Sequence, residues 1–341
     1  MSLKDLSEKL LQSAKSLSDV YSDSKDRIDD AFDQVKNLAG LGSDLAPKRS
    51  EVNNYVLPQG YDTVISTGDV ETICKSRKIL EGTPFIVRLT DKIGAPLERG
   101  MKSLPEKHQN KIAEVTSKSL RKALENAVST LDSEQRESRK GLHMFAAAAT
   151  GAVGGAFGLY SIAIELPIST TIMLRSIADI AREQGEDIRS EEVILQCLSV
   201  FSLSGNGPDG LGESPYYAVR ASLAGLITEA ATYLASKKTS QAAALTAPVL
   251  ITLLSRIAAR FNVQVSEMAM AQLIPIIGAA GGATINTLFI DHYQDIATAH
   301  FSIRKLERKY GQHEVKNVFN SLIFFSSKKS SEPSSNSVTP E

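Results

Sequence analysis

The chain has 341 residues, with 38 Lys plus Arg against 39 Asp plus Glu and a formal net charge of −1. That balance gives neither the basic footprint of a nucleic-acid binder nor the acidic excess of a solvating tail. Hydrophobic residues reach 42%, enough for a sizeable core; aromatics are 6% and Trp is absent, so no stacking platform for bases or sugars is expected.

Residues 1–37 read as a polar amphipathic helix with a stripe at Leu3, Leu6, Leu10, Leu11, Leu17, Val20 and Tyr21. Charges sit where a signal peptide needs an apolar run, so export by that route is not expected. Cys74 and Cys197 stand far apart, which suits a reducing cytoplasm. Residues 38–69 read as a linker on Gly40, Gly42, Pro47, Pro58 and Gly60. Val64-Ile65 and Phe85-Ile86-Val87 have strand composition. Pro105 suits a helix first turn, and Ile112, Val115, Leu120, Leu124, Val128 and Leu131 recur at near-helical spacing to about residue 132.

From 144 to 164 there are 21 positions without a charge, and from 268 to 290 there are 23. About 20 residues suffice to cross a hydrocarbon core. Gly151, Gly154, Gly155 and Gly158 in the first span and Gly278, Gly281 and Gly282 in the second place small residues four apart, which lets helix backbones approach closely. Gly and Ala supply little insertion energy, so membrane helices and Gly-rich core helices both stay open. Mean hydropathy of −0.10 argues only against a polytopic membrane protein. Between the spans, 188–203, 215–235 and 242–261 read as buried or amphipathic helices, with starts at Ser190 and at Ser214-Pro215.

The two spans also resemble each other. Gly151-Ala152-Val153-Gly154-Gly155-Ala156 matches Gly278-Ala279-Ala280-Gly281-Gly282-Ala283, and the helices that follow stop at Gly185 and Gly311. Each carries a polar stripe: Thr171, Arg175, Asp179 and Arg182 in one, and Thr287, Asp291, Asp295, Thr298 and Ser302 in the other. Arg175 paired with Asp291 or Asp295 across a pseudo-twofold is one reading; a solvated face is the other. Glu165 and Glu229 sit among apolar neighbours, so both are expected in a polar interior. Residues 326–341, rich in Ser, Pro and Lys, have little to bury and read as a disordered tail.

Signals for chemistry are sparse. Gly205-Asn206-Gly207-Pro208-Asp209-Gly210 has dinucleotide-loop spacing, but no strand precedes it, so it reads as a surface loop. P-loop, H-E-x-x-H and G-x-S-x-G patterns are absent. A metal set of Glu165, Asp291, His292 and Asp295, with His300 loosely placed, stays as an alternative that fits no standard spacing. His108, His143 and His313 read as surface or cap residues. The basic cluster Arg304, Lys305, Arg308 and Lys309 suits anionic headgroups or simply a helix C-terminus.

The run from Glu165-Leu166-Pro167 through Leu174-Arg175-Ser176-Ile177-Ala178-Asp179 to Gly185-Glu186-Asp187 resembles the EcsC protein family. So do Cys197-Leu198-Ser199-Val200-Phe201, Arg260-Phe261, Pro275 to Ala283, Asn286, Phe289, His292-Tyr293, Phe301 and Arg304-Lys305-Leu306-Glu307. The likeness spans roughly residues 70–325. It implies a bacterial, cytoplasmic-side protein linked to membranes or transport, the family's namesake being encoded beside the ATPase and membrane subunits of an ABC exporter. It supplies no catalytic residues.

The expected fold is mostly all-α: a Gly-rich helical bundle with two pseudo-repeated hairpin units over residues 70–325. The expected role is a non-enzymatic accessory at the cytoplasmic face of the inner membrane, without cofactor or nucleic acid. Its partner is a membrane or a membrane-protein complex, and a homo-oligomer is allowed. A metal-dependent hydrolase and a soluble scaffold recruiting through residues 1–37 are the rivals.

Overall fold

A computed structural model describes residues 54–82, 85, 87, 106–129, 159–204, 214–236, 245–272 and 278–325. The segments 1–37, 205–210 and 326–341 and the glycines Gly151, Gly154, Gly155 and Gly158 lie outside the described residues. All described residues belong to one compact unit that begins after Ser50.

Among the described residues the fold is all-α apart from one small sheet. In chain order the elements are β1 (Asn54–Val56), α1 (Thr67–Leu80), α2 (Glu106–Ser129), α3 (Leu159–Glu183), α4 (Glu191–Ser199) with a 3-10 turn (Val200–Ser202), α5 (Pro215–Ser236), α6 (Pro248–Gln272), α7 (Gly278–Tyr310), α8 (Gln312–Ser321) and β2 (Ile323–Phe325).

The helix boundaries follow local chemistry. Ser66 caps α1, its hydroxyl accepting from the Asp69 amide. The apolar period of α2 buries Ile112, Val115, Leu120, Leu124 and Val128. Its outer face carries Lys111, Glu114 and Lys118 in exposed ion pairs. At the end of α3, Gly185 takes φ +85°, and the Glu186 amide donates to Ala181 O (3.0 Å) while that of Gly185 donates to Arg182 O (2.9 Å). This is a Schellman stop, which needs a residue without a Cβ penalty. Gly311 does the same service between α7 and α8, with φ +90°. Both expected stops therefore fall at left-handed glycines.

The strand expectations need correction. Val64-Ile65 forms a bend before α1, and Phe85 and Val87 are helical. Apolar composition marked burial there rather than extension: Ile65 and Phe85 are both core residues. The actual strands pair antiparallel, Asn54 with Phe325 and Val56 with Ile323. Arg77 holds this end together. Its guanidinium lies 4.8 Å from the Tyr55 ring and 5.2 Å from that of Phe319, and it donates to the carbonyls of Phe319 and Leu322 at the end of α8.

Helix α7 is the axis of the fold, packing against α1, α3, α6 and α8, while α2 packs on α3 and α6, and α5 on α4 and α6. Its Phe289 and Tyr293 meet Phe201 and Phe261 in one fully buried aromatic cluster, with ring centroids 4.7–5.9 Å apart.

Among the described residues no helix is long and apolar enough to cross a membrane. The second charge-free span is shared between the end of α6 and the start of α7, where Gly278, Gly281 and Gly282 occupy the first turns. Of the first span, 159–164 opens α3 and the rest lies outside the described residues.

Candidate functional site

In the basic cluster near the end of α7, Arg304 is half-buried while Lys305, Arg308 and Lys309 are exposed. Arg304 grips Glu186 with two nitrogens, at 2.8 and 3.3 Å, and Arg308 joins the same carboxylate while donating to Gln184 O (2.7 Å). Lys309 pairs with Asp69 at 2.8 Å. Lys305 is exposed. Three of the four cations thus bind carboxylates of this chain. Burial pushes the Glu186 carboxyl upward, but Arg304 and Arg308 outweigh it and its pKa ends below the ordinary value. Hydrogen bonds from Lys309, Tyr310 and Ser66 hold Asp69 at about 2.

The expected polar interior is only partly assembled. Asp179 is buried and meets Arg182 at 3.2 Å on its own helix. Arg175 is exposed, and a pair with Asp291 or Asp295 is not among those formed by the described residues. Asp291 and Asp295 are half-buried. Glu229 is exposed, which corrects its placement inside. Its apolar neighbours misled because Ile227 and Ala230 turn inward while Glu229 turns away. Glu165 lies in α3, with its side chain outside the described atoms.

His292 is buried, but it serves another element. Its Nε2 lies 2.6 Å from Ser204 Oγ, and its ring packs on Phe85 at 5.0 Å. Among the described residues no three His, Cys, Asp or Glu side chains converge to hold a metal. The set Glu165, Asp291, His292 and Asp295 is therefore not supported as a cation site.

Sequence reasoning missed the most connected polar network. Arg220 of α5 forms a fork on Glu307 of α7, at 2.6 and 2.8 Å, and Tyr217 donates to the same carboxylate at 3.1 Å. Arg220 also donates to the Tyr216 oxygen (3.2 Å), which lies 2.9 Å from His300 Nδ1. Burial, then Arg220 and Arg304, push the His300 pKa well below its ordinary value. Burial raises the Tyr216 and Tyr217 phenols, so all three stay neutral. The network locks α5 to α7. A partial signal existed in Tyr216-Tyr217 beside Arg220, one helical turn apart.

What α5 and α6 leave outside is unusual. Arg220 and Glu229 are the only charges of α5, and Arg220 is turned inward. Its exposed positions include Ala221, Ala224, Gly225, Thr228 and Thr232. On α6 the exposed set includes Ile251, Thr252, Ser255, Ala259 and Val263, with Ile251 and Val263 48% and 47% accessible. Arg256 donates to Ser222 O at 3.0 Å, linking the two helices. Glu229 and Arg256 are the outward charges of a surface otherwise made of small and apolar side chains. A solvated helix face ordinarily carries more charged residues than this one does.

Neither a curated protein nor a solved structure matches the chain. A family model does, over residues 78–306, from the second half of α1 to near the end of α7. That stretch holds Glu186, Arg220 and Arg304 and both outward-facing helices, and it is described as the EcsC protein family. The chain belongs to the EcsC protein family.

Proposed function

We propose that this protein is a non-enzymatic accessory that docks on the cytoplasmic face of the inner membrane, against a helical subunit of a membrane-protein complex of the ABC-export kind. The carrying observation is the outward face of α5 and α6, two adjacent helices with Glu229 and Arg256 as their outward charges. Small residues there allow a partner helix to approach closely, and few charges need desolvation on contact. The pairing of Arg304, Arg308 and Lys309 with carboxylates of the same chain favours a protein contact over electrostatic docking to headgroups. The absence of a membrane-crossing helix among the described residues is compatible with a peripheral contact.

Fractionation of cells expressing the full chain tests the reading. Docking through an uncharged helical face predicts a membrane pellet that keeps the protein in high salt and releases it in alkaline carbonate. Release by salt alone would mean charge-based docking instead. Recovery wholly in the soluble fraction would refute the membrane assignment.

A further inference from the structure

Helix α5 runs from Pro215 to Ser236, so its centre falls between Gly225 and Leu226. Ala218, Ser222, Gly225, Glu229 and Tyr233 follow one another at steps of four, three, four and four, which is one helical face. Ser222, Gly225 and Glu229 are exposed, and Ala218 and Tyr233 are half-buried. Ser222 and Glu229 stand equally far from the helix centre, and so do Ala218 and Tyr233. The outward charges of this surface are opposite in sign and sit on different helices, Glu229 on α5 and Arg256 on α6. Arg256 donates to Ser222 O at 3.0 Å, which holds its guanidinium beside that turn of α5. Glu229 lies two turns further along the axis, about 10 Å away, and pairs with no cation among the described residues.

We propose that a second copy of this chain covers this face, α5 packing antiparallel on its counterpart about a two-fold axis through the helix centre. In that register each residue faces the one equally far beyond the centre. Glu229 therefore meets Ser222 of the second copy and the Arg256 guanidinium held there. The two-fold repeats the pair, so both outward charges are matched on both copies. A foreign helix would have to supply both signs at this spacing; a second copy supplies them by symmetry. Gly225 lies at the crossing, with open space where a side chain would stand, which allows close approach. The face is the one proposed above to meet a membrane partner, so as regulation the pairing rests on that reading: a paired chain cannot dock. The pairing itself is read on purified protein, without membrane.

Sedimentation of the full chain tests this. The wild type should run at twice the chain mass of 36.8 kDa. Glu229→Arg leaves only positive charge on the face and Arg256→Glu only negative, so each alone should run at the single mass. Mixed in equal amounts, the two should recover the paired mass, because each supplies the sign the other lacks. Gly225→Arg, placed in open space, should also run at the single mass. Thermal midpoints establish that each variant is folded. A wild type at the single mass, a pair that survives Glu229→Arg, or folded variants that stay single when mixed each overturn the proposal. A chain that pairs in solution but never reaches the membrane refutes docking alone; a single chain that reaches it refutes pairing alone.

Discussion

His300 is buried with Tyr216 and Arg220 of α5 on one side and Arg304 of α7 near it. Burial first, then the two arginines, hold it neutral below its ordinary value of roughly 6.5. As pH falls through about 6.5, the unfolded chain takes up a proton that the folded chain refuses. The stability that neutral His300 contributes is therefore complete above that pH and declines below it. Thermal midpoints at pH 7.5 and 5.5 should show a drop in the wild type that shrinks in His300→Gln. An equal drop in both would refute the assignment. Glu186 and Asp69 do not confuse this window, because their lowered values remove stability only below the ordinary carboxylate range.

Two glycines make a second test at the residue scale. Gly311 has φ +90° with nothing within 4 Å of an added Cβ, so Gly311→Ala should cost about 1 kcal/mol through backbone strain alone. Gly225 is helical, exposed and equally open. Gly225→Ala should stabilise by about 0.5–1 kcal/mol. Denaturant midpoints that move the same way in both would contradict this reading. Stops such as Gly185 and Gly311 were legible in the sequence because left-handed backbone selects glycine locally. Glu186 and Glu307 as clamp residues were not, since their arginines lie 118 and 87 positions away.

At the scale of elements, the clamps differ by burial. The Arg220 and Glu307 side chains are 14% and 9% accessible, and their fork joins α5 to α7. Glu307→Gln strands a buried guanidinium and should cost about 3–5 kcal/mol. An Arg220→Met, Glu307→Met pair removes both charges and should be markedly less damaging than the single change. Lys309→Gln, at a pair whose lysine is 58% accessible, should be far less damaging than Glu307→Gln. Urea unfolding of the three variants checks the order, and a Lys309→Gln loss equal to that of Glu307→Gln would invert it. Helix existence was readable from periodicity, as α2 illustrates. The strands were not: each has three residues, and Tyr55 finds Phe324 almost the whole domain away. The face of α5 was also hidden. Its outer side is nearly as apolar as its inner one, so Glu229 looked buried when it is a surface residue.

For the whole molecule, the family stretch and the packed helical unit largely coincide, residues 78–306 against described elements from Asn54 to Phe325. The charge-free spans drew attention to membranes through their length. The structure redirects that attention to α5 and α6, where apolar and small residues lie on the outside of a folded bundle. This is also why the outward apolar face escaped the sequence. Ala, Gly, Ser and Thr report neither inside nor outside until the packing is known.

The most direct test is the membrane fraction of Gly225→Arg beside the wild type, with the thermal midpoint of each. Gly225 faces open space, so a long charged side chain there leaves the fold intact while blocking a close helix contact. The account predicts an unchanged midpoint and transfer of the variant from the membrane pellet to the soluble fraction. A folded Gly225→Arg that stays with the membrane as fully as the wild type would contradict docking through α5 and α6.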